Sequence, residues 1–329
     1  MTAPGTRWAV RAPLDQTVAG PCDEVPLEIV LDGQRPHARL LFPADLLPLS
    51  GHYPGFPIVP GVFLVDTAQR TARALLGLED ARWSAITSTR FLRPVFPGDE
   101  IEVVVTSSPG TDPAASLLVR CEVTHDGEPV AAVRLRFEPN AGPDATVLTA
   151  GGMHDEARSD GDAPLEPADD RDVAQILPHR WPMLLVDRVV AVGPVSLVAE
   201  KAISVQDWVY RDGATTRAYP WALVVESWCQ SAGVLAAWHR PNPDVLTGDV
   251  MLFGGIADID LGEPAHAGDV LTHHVRLERD LGDVVMMSGW TTVGGRTVLT
   301  VGRITMAMRP AHVLRPAAPH TPTDDGGLS

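Results

Sequence analysis

HYPGFPIVPGVFLVDTAQ, residues 52–69, joins a loop crowded with proline and glycine directly to an apolar helix. Pro54, Gly55, Pro57, Pro60 and Gly61 set the backbone at short intervals and exclude helix up to that point. The apolar run from Val62 then predicts a buried helix over 62–78, ended by Gly77 or just beyond it. His52 stands at the loop's entrance and Asp66 one turn into the helix. A proton acceptor and a carboxyl group thus bracket a helix N-terminus, where unpaired N–H groups and the helix dipole favour developing negative charge. The combination suits chemistry on a thioester or another carbonyl. Histidines in turns and acids at helix starts also occur without any chemical role, so the rest of the chain has to discriminate.

Upstream, residues 1–24 read as an arm with little periodicity, and LEIVLDG and HARLLFP read as two strands around a turn at Asp32 and Gly33. Downstream, WSAITSTRFLRPVFPGDEIEVVVTSS, SLLVRCEVTHDG and EPVAAVRLRFEP alternate apolar and polar residues between Pro-Gly and Asp-Gly turns, the pattern of antiparallel sheet. One helix followed by a strand meander implies a sheet wrapped around that helix. Residues 141–171 are small, acidic and almost free of large apolar side chains, and read as a flexible linker.

After the linker the pattern repeats. LLVDRVVAVGPVSLVAEKAIS is again strand, turn, strand, and 222–239 is again a long apolar helix. RPVFPGDEI at 93–101 matches EPAHAGDVL at 263–271, an offset of 170, while Pro60 and Asp66 match Pro220 and Glu226, an offset of 160. The second half therefore carries about ten extra residues, roughly RPNPDVLTGD, between helix and strand. The tail from Ala311 is proline-rich and reads as loose.

At 329 residues and 45% hydrophobic content the chain has room for two ordinary cores. Neither a signal-peptide core nor an apolar run long enough for a membrane span is present in the sequence, which gives the expectation of a soluble, cytoplasmic protein. The three cysteines are far apart and show no zinc spacing, so neither a disulfide framework nor a structural metal is expected. Of the net charge of −16, eight acids against two arginines place −6 in residues 141–171 and leave −5 on each side. No basic face stands out for nucleic acid. An acidic carrier protein could dock on local arginines such as Arg73, Arg90 and Arg93.

HYPGFPIVPG, an apolar helix with an acid fourteen positions after the histidine, and FLRPVFPGD closely resemble the β-hydroxyacyl-acyl-carrier-protein dehydratases of the hotdog fold. ILPHRWPMLLVDRVV, at 176–190, resembles the same family's N-terminal segment. The resemblance implies an α+β fold of two tandem hotdog domains, each a long central helix wrapped by an antiparallel sheet, forming an internal pseudo-dimer. The expected domains are 1–140 with the histidine loop, the linker 141–171, 172–312 with the acid, and a disordered tail 313–329. Dehydratase domains of modular polyketide synthases carry two such units on one chain in the same way. Family sites form between units, with the histidine from one and the acid from the other.

The halves have not kept the same parts. Alignment on Pro60 and Pro220 puts Asp212 where His52 stands, so the second half lacks the histidine. Its helix keeps Glu226 and, four residues on, Gln230, a spacing that lets the amide hold the carboxyl. In the first half Arg70 follows Asp66 instead, and is expected to hold it deprotonated as an ion pair. The resemblance therefore implies one complete site, with His52 as base and Glu226 as acid, Gln230 in support and the Gly61 N–H holding the thioester oxygen. The pairing of Asp66 with Asp212 is a degenerate second site.

The implied reaction removes water from a 3-hydroxyacyl thioester on an acyl carrier protein to give the trans-2-enoyl product, in fatty acid or polyketide and polyene synthesis, without cofactor or metal. His52 must be neutral and Glu226 protonated, which burial favours for both. Trp221, Trp228 and Phe56 are candidates to line an acyl tunnel. Cys229 reads as a small buried side chain and His179 as a packing or loop residue, and His266, His273 and His274 show no metal spacing. A hotdog thioesterase, a non-catalytic carrier-binding partner and a trans-2 to cis-3 isomerase are the alternatives; the same base and acid would serve the isomerase. Further assembly of pseudo-dimers stays open.

Overall fold

The computed structural model describes residues 6–10, 20–31, 35–78, 80–108, 116–139, 165–213 and 215–314. The expected turn at Asp32 and Gly33, most of the linker (141–164) and the tail from 315 lie outside these residues. In the first half the elements are β1 (Thr6–Val10), β2 (Leu27–Leu31), β3 (His37–Leu41), α1 (Gly61–Leu76), β4 (Arg82–Phe91), β5 (Glu100–Ser108), β6 (Leu117–His125) and β7 (Glu128–Glu138). The second half has β8 (Glu166–Pro167), β9 (Arg188–Val192), β10 (Ser196–Ala202), α2 (Trp221–Ala237), β11 (Asp249–Leu261), β12 (Val270–Asp280), β13 (Val284–Val293), β14 (Arg296–Pro310) and the short α3 (Ala311–Leu314).

All these strands join one antiparallel sheet in the order β1-β2-β3-β5-β6-β7-β4-β11-β14-β13-β12-β10-β9-β8. Read outward from the seam where β4 pairs with β11, the two sides repeat: β4, β7, β6, β5, β3, β2 on one, and β11, β14, β13, β12, β10, β9 on the other. Ile86 faces Ile259 across the seam. The internal repeat reaches down to single hydrogen bonds. Val59 N–H donates to Val95 O at 2.8 Å and Tyr219 N–H to Ala265 O at 2.7 Å, and Asp99 and Asp269 cap the equivalent turns at Phe96 and His266, both caps at 2.8 Å.

Alternation along the strands gives the sheet an apolar inner face. On β6, Val119, Cys121 and Val123 point inward and are essentially unexposed, as are Val133, Leu135 and Phe137 on β7. The β6–β7 turn places Asp126 and Gly127 at φ of 50° and 76°, the left-handed pair that a two-residue hairpin favours. α1 packs on strands of its own half, α2 on strands of the second, and the two helices touch. Burying each large aliphatic side chain in this core contributes about 1.5–3 kcal/mol. α1 starts after Pro60 and stops at Gly77, whose φ of 65° supplies a left-handed cap that few other residues adopt cheaply. α2 is buried along nearly all of its length, and a single Ala, Ala236, is exposed.

Several expectations change. The N-terminal arm is not without structure: β1 pairs with β2, and residues 20–25 form a turn that buries Cys22. Strand β1 has two adjacent polar residues, Thr6 and Arg7, before three apolar ones and pairs at the sheet's edge, so its sequence carries little periodicity. Glu166–Pro167, within the expected linker, pairs with β9. Ala311–Leu314 is helical and packs, through Ala311 and Leu314, on a small apolar cluster. Among the described residues no helix is long and apolar enough to cross a membrane.

Candidate active site

The loop that precedes α1 turns sharply after Gly51, with Tyr53 at φ 59° and Gly55 at 81°. His52 is thereby driven inward and buried. Its Nδ1 lies 2.8 Å from the Ile58 carbonyl. A carbonyl can only accept, so Nδ1 carries the proton and Nε2 keeps a free lone pair. Burial lowers the His52 pKa to about 4, against a smaller opposing effect of the Ile58 carbonyl. The neighbouring Tyr53 ring stacks on His52 at 4.4 Å, and its hydroxyl donates to Met251 O on β11 at 2.7 Å. The histidine loop of the first half is thus fastened to the second.

The ten-residue insertion of the second half covers the same loop. Val245 and Val250 pack with Tyr53, Phe56 and Ile58 in a small cluster separate from the main core. A Cβ on Gly55 would come within 3.0 Å of Leu246. On the other side Arg180 N–H donates to Gly51 O at 2.9 Å. A Cβ on Gly51 would fall on the Arg180 carbonyl and lie 2.8 Å from the backbone nitrogens of Pro182 and Met183. Only glycine lets the two segments meet.

Glu226 lies in the second turn of α2 and is 1% exposed. Burial raises its pKa to about 7, opposed by the Gln230 amide that donates to Oε1 at 3.0 Å. His179, delivered by the segment joined to Gly51, has Nε2 3.7 Å from Glu226 Oε1 and its ring centroid 5.3 Å from that of His52. One nitrogen of each ring and one Glu226 oxygen lie within 4.8 Å of each other. His179 Nδ1 is buried without a hydrogen-bond partner. Its pKa is lowered by burial first and then by the charges of His52 and Arg180. His52 and Glu226, predicted from opposite halves, are therefore brought together, and His179 joins them as a third titratable group. The PHR segment carried the signal for it, but nothing in one sequence says that 176–185 folds against Gly51.

The other expected residues sit elsewhere. Gly61 opens α1, where its N–H has no intrahelical acceptor, and a Cβ there would meet the Phe91 ring at 2.9 Å. Asp66 is buried beneath the 20–25 turn, with Oδ2 unpartnered. Arg70 does not hold it as an ion pair: the guanidinium donates to Cys22 O at 2.6 Å and Val25 O at 2.9 Å. Burial outweighs the Arg70 charge, and the Asp66 pKa rises to about 7. Asp212 is exposed and takes Arg217 on both oxygens at 2.8 Å. The two carboxyls occupy unlike surroundings.

A narrow cavity beside the cluster is lined by Tyr53, Leu177, His179, Cys229, Gly233 and Met251, among others. The tryptophans are not on this wall. Trp228 is fully buried with its indole N–H on His274 O, and Phe56 belongs to the small cluster under the insertion. Ser227 and His273, 2.7 Å apart, look like a nucleophile and base but have the reverse polarity. The Ser227 hydroxyl donates to Leu185 O at 2.6 Å, so His273 Nε2 must be the donor, leaving Nδ1 to accept from Thr291. His274 stacks on Trp290. Of the arginines read as a docking patch, Arg73 lies over Phe137, Arg93 pairs with Glu128 and Arg90 is exposed.

The ApeI-like family model, described as ApeI dehydratase, matches residues 28–127, and the ApeP-like model, described as ApeP dehydratase, matches 171–253. The chain is 33% identical over 131 residues to the 3-hydroxyacyl-[acyl-carrier-protein] dehydratase FabZ of Helicobacter acinonychis (strain Sheeba), covering 38% of this chain and 82% of that protein. It is 30% identical over 128 residues to FabZ of Campylobacter lari, covering 38% and 88%. Among solved structures, the bifunctional dehydratase-cyclase domain in ambruticin biosynthesis aligns with a TM-score of 0.55 at 18% identity, covering 94% of this chain and 96% of that one. The dehydratase domain of RzxB from Pseudomonas fluorescens aligns at 0.58 and 12%, covering 84% and 96%. At these identities the structural likeness speaks for the fold alone.

Proposed function

Since this chain belongs to the 3-hydroxyacyl-[acyl-carrier-protein] dehydratase family, we propose that it performs the family's reaction at one composite site shared between its halves. It is a dehydratase of fatty acid or polyketide biosynthesis. The finer reading is a tandem pair of hotdog units, 1–140 and 172–312, joined by a linker at 141–171 and forming an internal pseudo-dimer. The strand order mirrored about β4 and β11 supports it. The substrate in this reading is a 3-hydroxyacyl chain on an acyl carrier protein, and the product is the trans-2-enoyl thioester.

The observation that carries the assignment of residues is the approach of His52 and Glu226 from opposite halves with opposite protonation tendencies. His52 Nε2 takes the proton from the carbon next to the thioester carbonyl, and Glu226 gives its proton to the departing hydroxyl. Gly61 N–H, at the helix N-terminus, receives the negative charge that develops on the thioester oxygen. Gln230 holds Glu226 in place. Asp66 and Asp212 carry no step. The reversed polarity of the Ser227–His273 pair speaks against nucleophilic thioester hydrolysis there.

Mass spectrometry of a 3-hydroxyacyl carrier substrate tests the reading. His52→Ala and Glu226→Gln should each slow the loss of water by at least about a hundredfold, while Asp66→Asn keeps most of the activity. An inactive Asp66→Asn beside an active Glu226→Gln would overturn the assignment and give the acid's role to the first half.

A further inference from the structure

One turnover does not return the cluster to its starting state. The C–H bond next to the carbonyl breaks and its proton goes to His52 Nε2; the C–O bond breaks and the hydroxyl leaves as water with the Glu226 proton; the carbon–carbon double bond forms. An imidazolium and a carboxylate remain where the next turnover needs a neutral imidazole and a carboxylic acid. One proton must therefore travel from His52 to Glu226. Both are buried, at 5% and 1% exposure, which limits direct exchange with solvent.

The neighbouring side-chain nitrogen and oxygen groups are committed, with one exception, and burial pushes the thiol of Cys229, which also lies near Glu226, well above its ordinary pKa. His52 Nδ1–H is held by Ile58 O, and the Tyr53 hydroxyl by Met251 O. The Gln230 amide gives one N–H to Met183 O and one to Glu226. His179 alone in this group has an unpartnered ring nitrogen, is 6% exposed, and touches both ends of the path. We propose that His179 is the proton-return residue of this site. An N–H bond of His52 breaks as one forms on His179, and a His179 N–H bond then breaks as an O–H bond forms on Glu226, so that charge and protons balance. The inference rests on the composite-site reading. The downward shift of the His179 pKa by burial agrees with a group that takes a proton and does not keep it.

Rapid-quench kinetics on the full chain with a 3-hydroxyacyl carrier substrate separates the first turnover from later ones. His179→Asn and His179→Gln should keep the first-turnover rate within about threefold and lose about tenfold or more in steady state. The time course then shows a burst of one enoyl product per chain, and added imidazole restores the later turnovers alone. Equal losses in both phases with an unchanged melting temperature, or no loss in either, would overturn the proposal. A measurement on the unaltered chain guards against misfolded variants: it should show no burst and no acceleration by imidazole, and a burst relieved by imidazole would overturn the proposal as well. His52→Ala should lose both phases; if it does not, the dehydratase site itself is misassigned, a failure distinct from that of His179.

Discussion

Gln230 Nε2 donates to Glu226 Oε1 at 3.0 Å from the next turn of α2, and the same amide donates to Met183 O at 2.7 Å and accepts from Leu185 N–H at 2.8 Å. Every hydrogen-bonding group of this side chain is used, so the carboxyl is tied to the segment that also delivers His179. Gln230→Leu would leave a buried N–H and a buried carbonyl without partners, at a cost of about 1–3 kcal/mol. Denaturant unfolding should register that loss, and kcat should fall about tenfold or more because the acid is no longer held. A variant with normal stability and normal kcat would remove Gln230 from the site.

The pH dependence of kcat/KM should be bell-shaped. His52 must be neutral, so activity falls as pH drops through about 4; Glu226 must be protonated, so it falls as pH rises through about 7. The two limbs belong to the coupled cluster of His52, His179 and Glu226 and not to single residues. Gln230 lowers the Glu226 pKa, so Gln230→Leu should move the alkaline limb upward. Asp66 is also raised to about 7, and Asp66→Asn must leave that limb in place. A limb that disappears with Asp66→Asn would give the acid's role to the first half.

Glu226 also makes the fold weaker at high pH. Its folded pKa of about 7 exceeds the ordinary value of 4.5, so the stability its buried acid form provides is complete below 4.5 and is lost as pH rises through 7. Glu226→Gln keeps the shape and removes the ionisation. Melting experiments should find it more stable than the unaltered chain by about 3 kcal/mol at pH 8 and nearly equal at pH 4. Equal stability at both pH values would mean that the carboxyl reaches water.

Much of the fold is legible in the sequence. The Pro/Gly loop, the two helices and the repeat follow from local chemistry; the site shared between halves follows only when the loss of the histidine at Asp212 is joined to the resemblance to a family whose sites form between units. Contacts made far along the chain were not legible. The sequence places an arginine four residues after Asp66, but only the fold shows Arg70 turned to the carbonyls of Cys22 and Val25. The arm looked featureless because its order comes from pairing with β2 and from covering Asp66. His179 was hidden for the same reason, since its importance rests on the fit of Arg180 against Gly51.

Cys229, Gly233 and Ala237 fall on one face of α2 and give the cavity beside His179 a wall of small side chains. A Cβ at Gly233 would meet Met251 Sδ at 3.1 Å and Leu177 Cδ2 at 3.4 Å, both ends of flexible side chains. Alanine should therefore be tolerated there and, inside a helix, even stabilising by about 0.5–1 kcal/mol. Leucine should instead project into the cavity. If the acyl chain lies there, Gly233→Leu will lower kcat/KM about 10- to 200-fold for long 3-hydroxyacyl carrier substrates and spare the shortest ones. A chain-length series read by mass spectrometry decides the matter, because an equal loss at every length would mean that the chain leaves the cluster by another route.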